Sequence, residues 1–329
     1  GLVLEVFKDE RMLRDVLIGS HAIAHNRYST TGASGKIENI QPFFMHYRMG
    51  NFGLAHNGNL TNTHALRAEL DKAGTIFQTS TDSELILHLV ARSQKQTQIE
   101  QIRDALTQAK GAYSLAMMTD TALIAARDPR GIRPLAFGRL KRPDGAWAYM
   151  VASETCAFDI VGAEYIRDVQ PNEIITIDEE TVRTGTVKST FVDDNPPPPT
   201  HCIFEYIYFA RPDSVMEGMH VYEARQRIGA QLAREAGVDA DVIVPVPDSG
   251  VPAAMGYAKE SNIPFELGII RNHYVGRTFI EPTDHIRHLG VKLKHSANRP
   301  MLEGKRVILV DDSIVRGTTS RKIVEMVRN

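Results

Sequence analysis

A chain of 329 residues is long enough for two domains, each able to bury its own core. With 43% hydrophobic, 24% charged and 7% aromatic residues it is composed like an ordinary soluble globular protein, and a formal net charge of −2 gives no sign of a general nucleic-acid or membrane surface. No run of roughly 18 apolar residues could span a bilayer, no signal-peptide pattern opens the chain, and two cysteines, Cys156 and Cys202, suit a reducing cytoplasm better than a disulfide framework.

Residues 1–7 (GLVLEVF) read as an internal strand without an initiating Met. Residues 320–329 (SRKIVEMVRN) read as an amphipathic helix that stops without a cap, so the chain reads as a piece of a longer protein. Within the first half, β-rich runs at 22–28, 43–47, 52–55, 113–118, 122–126 and 147–152 predict strands. Residues 60–73, 83–93 and 99–109 carry apolar side chains at helical spacing. Strands in groups and helices in groups predict two packed sheets with helices outside. Pro196 to Pro199 then follow Asp193-Asp194-Asn195; such a run is stiff and cannot pair inside a sheet, which places a boundary between domains at 1–195 and 196–329. Beyond it, helix 222–236, strand 242–246, helix 251–260, strands 265–270 and 306–310 and helix 318–327 predict a parallel sheet with ligands at the carboxyl ends of its strands.

Two polar clusters in the first half, His25–Thr30 (HNRYST) and His56–Leu60 (HNGNL), each follow a predicted strand, and the second enters a helix. Arg27 can clamp a carboxylate in a bidentate fork. The Asn57 side chain beside the Gly58 N–H makes an oxyanion hole, although Asn-Gly alone reads as a hairpin turn. Asp82, in STDSE, reads as an anion for an ammonium group or as a helix N-cap.

The second half carries a sharper signal at residues 307–319, VILVDDSIVRGTT. A strand ends at Asp311-Asp312, and a turn through Ser313 and Arg316 reaches Gly317, Thr318 and Thr319, which open a helix. Small residues let backbone N–H groups converge on an anion there, the helix N-terminus favours negative charge, and the threonine hydroxyls add donors. Two carboxylates beside a phosphate repel it unless they accept ribose hydroxyls or hold a divalent cation. Residues 246–250 (VPDSG) also join a strand to a helix, and residues 271–282 (RNHYVGRTFIEP) place two cations, a tyrosine and a glycine between two apolar strands.

Residues 307–319 resemble the phosphoribosylpyrophosphate-binding signature of type I phosphoribosyltransferases. By that resemblance Asp248, Ser249 and Gly250 take the pyrophosphate, and Ser249, Asp311 and Asp312 hold magnesium. Arg271, Tyr274 and Arg277 then belong to a lid that excludes water from an oxocarbenium-like centre. HNRYSTTG, AHNGNL and TSTDSE, in that order, resemble the class II glutamine amidotransferase domain, a four-layer αββα Ntn-type fold whose N-terminal cysteine attacks the glutamine amide. The resemblance gives Arg27 and Asp82 the glutamine's carboxylate and amino groups, and Asn57 and Gly58 the oxyanion. The nucleophile has no match, because Gly1 is not cysteine and Cys156 and Cys202 are internal, so the polypeptide as written is not expected to hydrolyse glutamine.

Both domains, their order and the junction at 202–214 (CIFEYIYFARPDS) resemble the glutamine phosphoribosylpyrophosphate amidotransferase family over essentially the whole chain. That implies conversion of glutamine, phosphoribosylpyrophosphate and water to 5-phosphoribosylamine, glutamate and pyrophosphate, the first committed step of purine (IMP) biosynthesis. It also implies magnesium, inhibition by purine nucleotides of the AMP, GMP and ADP class, and a homo-oligomer, commonly a tetramer. Some members hold a [4Fe–4S] cluster; Cys202 sits at its junction position, but two cysteines cannot complete a four-thiolate site. Two other readings are a non-catalytic phosphoribosylpyrophosphate-binding regulator, opposed by the lack of a DNA-binding helix pair, and a class II amidotransferase acting on a sugar phosphate, opposed by the phosphate loop.

Overall fold

The computed structural model describes residues 7–26, 36–272, 295–314 and 317–328, and the chain packs as two units, Gly1–His201 and Cys202–Asn329. The proline run therefore stays with the first unit instead of opening the second. The cause is local. Thr200 donates its N–H to Arg130 O at 2.8 Å, and His201 Nδ1 donates to Gly131 O at 3.2 Å, so the chain remains tied to the first unit past its prolines.

The first unit contains strands β1 (Phe43–Tyr47), β2 (Gly50–Leu60), β3 (Gly111–Thr119), β4 (Leu123–Arg127), β5 (Ala136–Lys141), β6 (Trp147–Ala152), β7 (Glu164–Asp168), β8 (Glu173–Ile177) and β9 (Lys188–Phe191). Its helices are α1 (Thr63–Lys72), α2 (Ser83–Arg92), α3 (Gln98–Gln108), α4 (Cys156–Val161) and α5 (Glu179–Thr184). The strands form a six-stranded sheet in the order β1-β2-β3-β4-β8-β9 and a three-stranded sheet in the order β6-β5-β7, all paired antiparallel.

Side chains alternate across a strand, and β4 shows what that does here. Ile124 and Ala126 join a core with Leu85, Ile86 and Leu106 of the helices, whereas Leu123 and Ala125 join one with Phe137 of the smaller sheet. Each fully buried side chain of this size contributes about 1.5–3 kcal/mol relative to exposure. On β5, Phe137 faces the larger sheet and Gly138 faces away; a Cβ on Gly138 would lie 3.2 Å from the Phe158 ring, so α4 covers the outer face. Helix, sheet, sheet and helix make the four layers expected.

Residues 22–26 depart from expectation, since they form no strand. Their apolar alternation reflects one contact, Ile23 packed between the two sheets, while the neighbouring His21 Nε2 bonds Thr119 O at 2.9 Å without a ladder. Residues 1–6 and 27–28 lie outside the described residues.

In the second unit, β10 (Val215–Met216) and β11 (Met219–His220) form a short hairpin before α6 (Val221–Glu235). There follow β12 (Val242–Pro245), α7 (Val251–Ser261), β13 (Ile269–Arg271), β14 (His295–Ala297), α8 (Arg299–Leu302), β15 (Val307–Val310) and α9 (Thr318–Arg328). β12 and β15 are parallel neighbours, from Val242 opposite Val307 to Pro245 opposite Val310. Ile243, Ile308 and Val310 face Ala233, Ala254 and Tyr257, while Val242, Val244 and Leu309 face Leu302 and Ile323. Helices thus cover both faces of a parallel pair, the expected α/β arrangement.

The single strand expected at 265–270 is instead one bridging residue, Phe265, opposite Ile243, followed after Gly268 by β13. β13 pairs antiparallel with β14, Arg271 opposite His295, and among the described residues β14, not β15, is the next strand after the 271–282 segment. β15 itself is half-buried along Val307–Leu309 and buried at Val310.

Candidate functional site

Two loops leave the carboxyl ends of β12 and β15, which are hydrogen-bonded neighbours, and so emerge side by side. After Val310 the chain stays non-helical through Ile314, and α9 begins at Thr318. Asp311, Asp312 and Ser313 are half-buried and Ile314 is exposed. Asp312 donates its N–H to Asp311 Oδ1 at 2.9 Å, and Ser313 Oγ donates to Asp312 Oδ1 at 2.9 Å. Burial pushes the Asp311 carboxyl up to about 6; the Asp312 N–H opposes this and the Asp312 charge adds to it. Among the described residues the hydrogen bonds of this pair are local, and no group of three or more His, Cys, Asp or Glu is placed to hold a metal ion. Gly317 has φ +69°, which favours glycine at the helix entry. Arg316 lies outside the described residues, and of Thr318 and Thr319 only the helical backbone is described.

The neighbouring loop, 246–250, is fixed by Val246 N–H to Val310 O at 2.8 Å and Gly250 N–H to Val246 O at 3.0 Å. The Pro247–Asp248 peptide is cis. A Cβ on Gly250 would lie 2.4 Å from Val310 O, so only glycine lets this loop close against β15. Asp248 is exposed and forms an ion pair with Arg271 at the end of β13; Ser249, the next residue, is half-buried. The fold thus gathers Asp311, Asp312 and Ser313 at one strand end, Asp248, Ser249 and Gly250 at the next, and Arg271 against Asp248. Tyr274 and Arg277 lie outside the described residues.

In the first unit, the expected strand-to-helix turn at 56–60 is instead part of β2. Pairing with β3 continues through Asn57 opposite Ser114 and Gly58 opposite Tyr113 to Leu60 opposite Gly111, and α1 starts only at Thr63. Gly58 has φ +155°, and a Cβ there would lie 2.1 Å from Ala112 O. Asn57 Oδ1 accepts from Arg133 Nη2 at 3.0 Å, and its Nδ2 donates to Ser153 Oγ at 3.3 Å.

Asp82 is 3% exposed and stands at the N-cap position of α2, yet its side chain makes no capping hydrogen bond. Its Oδ2 accepts the Leu60 N–H at 2.8 Å, which fastens the end of β2 to the start of α2. Beside it runs a directed chain: Gln41 Nε2 donates to Ser83 Oγ (3.4 Å), Ser83 Oγ to His56 Nδ1 (2.9 Å), and His56 Nε2 to Ala112 O (3.5 Å). Burial holds the His56 imidazole below its ordinary value, against the pull of Asp82, so it is neutral and able to accept from Ser83. Arg27 lies outside the described residues. Cys156 is buried, Cys202 is half-buried, and neither is in a disulfide.

Arg133, Ser153, Gln41 and Ser83 join this site without having been expected there. The one signal for Arg133 was the run RDPRGIRP at 127–134, dense in charge, glycine and proline.

The glutamine amidotransferase domain family matches residues 25–159, and the phosphoribosyl transferase domain family matches residues 213–329. The amidophosphoribosyltransferase of Rhizobium etli is 55% identical over 312 residues, which are 95% of this chain and 62% of that protein. The amidophosphoribosyltransferase of Methanothermobacter thermautotrophicus is 48% identical, over 100% of this chain and 67% of that protein. A solved structure of glutamine phosphoribosylpyrophosphate amidotransferase from Bacillus subtilis, complexed with ADP and GMP, is similar at TM-score 0.82 and 49% identity, over 92% of this chain and 64% of that one. The chain thus spans between 62% and 67% of the lengths of these relatives.

Proposed function

Since the chain belongs to the amidophosphoribosyltransferase family, we propose that it forms the glutamine-hydrolysing and phosphoribosyl-transferring parts of an enzyme that makes 5-phosphoribosylamine. The overall reaction takes glutamine, phosphoribosylpyrophosphate and water to the amine, glutamate and pyrophosphate, and opens purine biosynthesis. The observation that carries the reading is the pair of loops that leave the adjacent ends of β12 and β15, one bearing Asp311 and Asp312 and the other residues 246–250.

In this reading Asp311 and Asp312 accept the ribose hydroxyls, and the turn at Ser313, Arg316 and Gly317 with Thr318 and Thr319 cradles the 5′-phosphate. Asp248, Ser249 and Gly250, with Arg271, Tyr274 and Arg277, receive the pyrophosphate. The ammonia nitrogen attacks the ribose C1, the bond from C1 to the pyrophosphate oxygen breaks, and pyrophosphate leaves with the electron pair. Asp311, Asp312 and Ser249 would hold magnesium, which supplies charge neutralisation on the pyrophosphate. In the first unit, Arg27 and Asp82 take the carboxylate and amino groups of glutamine, and Asn57 and Gly58 donate to the oxyanion of the tetrahedral intermediate. The nucleophile this reading calls for is an N-terminal cysteine, and both Cys156 and Cys202 are internal.

Purine nucleotides are the inhibitors this reading expects, by analogy with the ADP and GMP held by the Bacillus subtilis protein. A homotetramer in a reducing, cytoplasmic compartment is part of the same proposal, whereas a [4Fe–4S] cluster would need ligands beyond Cys202. Among the described residues no helix is long and apolar enough to cross a membrane.

The test is the pair Asp311→Asn and Asp312→Asn in the intact protein. Ammonia-dependent formation of phosphoribosylamine is expected to collapse while glutamine hydrolysis partly survives. Undiminished synthesis would remove the assignment.

A further inference from the structure

Just after β4 the chain makes a turn held by two buried ions. Asp128 is 0% exposed and accepts the N–H groups of Arg130 (3.0 Å), Ile132 (3.0 Å), Arg133 (3.4 Å) and Tyr113 (3.4 Å). Arg127 is 2% exposed and donates to the carbonyls of Arg133 (2.7 Å), Gly131 (3.0 Å) and Val169 (2.9 Å). Burying a carboxylate and a guanidinium is costly unless their polar atoms are engaged, and a plain turn between strands does not require it. What these bonds accomplish is to fix the backbone of Arg133 from both its N–H and its C=O. From there the Arg133 side chain reaches Asn57, 76 residues away in sequence.

A carboxamide can turn over about its terminal torsion with little change in shape, exchanging its oxygen for its NH2 group. Only one orientation offers a guanidinium an acceptor; the other sets donor against donor. With Nη2 3.0 Å from Oδ1, Arg133 selects the orientation in which the Asn57 NH2 points away from it, to the side where Ser153 Oγ lies at 3.3 Å. Its positive charge also polarises the amide and strengthens that N–H as a donor.

We propose that Arg133 is the positioning residue of the oxyanion site, held by the Arg127–Asp128 turn so that the Asn57 amide presents Nδ2–H to the developing oxyanion. This rests on the reading of Asn57 as an oxyanion donor, and the experiment separates the two.

In the intact protein, glutamine hydrolysis is measured for Asn57→Ala, Arg133→Met, Arg133→Lys and the double variant Asn57→Ala with Arg133→Met. Ammonia-dependent synthesis by the second unit serves as the folding control. Losing the donor in Asn57→Ala is expected to lower kcat about 10²- to 10³-fold. Arg133→Met is expected to lower kcat roughly 30-fold with KM for glutamine within about threefold, and Arg133→Lys to recover most of the loss, because only a transition-state interaction is weakened. The double variant is expected to be no worse than Asn57→Ala alone, within about twofold, because Arg133 acts through Asn57. Full kcat in Arg133→Met beside a collapsed Asn57→Ala overturns the role of Arg133 and leaves the oxyanion reading standing. Full activity in Asn57→Ala overturns both, and a further loss in the double variant shows that Arg133 acts elsewhere. If Arg133→Met does not fold, the Asn57 side-chain amide resonances in Arg133→Gln against Arg133→Lys decide: unchanged shifts in both refute the contact.

Discussion

Asp311 carries a cost in the free protein that can be measured without any substrate. Its carboxyl is moved from 3.8 to about 6, chiefly by burial, so keeping it ionised in the fold costs at most ~3 kcal/mol. The side chain is only half-buried, and solvent screening reduces the figure to about 1 kcal/mol. The folded state holds the proton more tightly than the unfolded chain. Stability of the wild type therefore falls as pH rises from about 4 to about 6, and the full penalty is present above that window. Asp311→Asn removes the charge and keeps an acceptor for the Asp312 N–H. The variant should be more stable than the wild type at pH 8 by about 1 kcal/mol, a shift of roughly 0.5 M in urea midpoint for a unit of this size, and the gain should vanish near pH 4. Far-UV circular dichroism is the appropriate signal, since the single tryptophan, Trp147, reports on the first unit. Magnesium chloride alone, added at pH 8, should stabilise the wild type more than the variant and close the gap. Equal midpoints at pH 8 without metal, or a less stable variant, would refute the claim that this carboxylate is held at a cost.

Gly58→Ala places a methyl 2.1 Å from Ala112 O, so β2 and β3 must separate locally; a loss of about 2–4 kcal/mol is expected, read by Trp147 fluorescence on thermal unfolding, and an unchanged midpoint would exclude the close approach. Asp128→Ala leaves the N–H groups of Arg130, Ile132 and Arg133 without their carboxylate. It should cost at least about 3 kcal/mol and reduce glutamine hydrolysis along with stability. Wild-type stability in that variant would show that the turn closes on other contacts.

What sequence reading reached, and what it missed, follows from how far apart the cooperating residues are. The strand, loop and helix over residues 307–319 were legible as a unit because they are contiguous in the chain: β15 ends at Val310 and α9 begins at Thr318. Long periodic elements such as α6 and α7 were equally plain, because an amphipathic helix writes its core contacts into its own spacing. β5 (AFGRLK) and β7 (EYIRD) were not, since they belong to a small sheet and charges at Arg139, Glu164 and Arg167 break the alternation. β8 (EIITI) is buried on both faces, so it has no alternation to read.

The cluster around Asn57 shows the limit most clearly. Local chemistry makes Asn57-Gly58 a turn, but ladder pairing with β3, more than fifty residues later, keeps it extended. The groups that touch Asn57 come from 76 and 96 residues away, at Arg133 and Ser153. No periodicity or spacing connects positions so distant; only the order of strands in the sheets brings them together. A site carried on one loop can be read residue by residue, whereas one assembled across strands shows the sequence reader its anchor, Asn57, and hides the arginine that decides which way that anchor points.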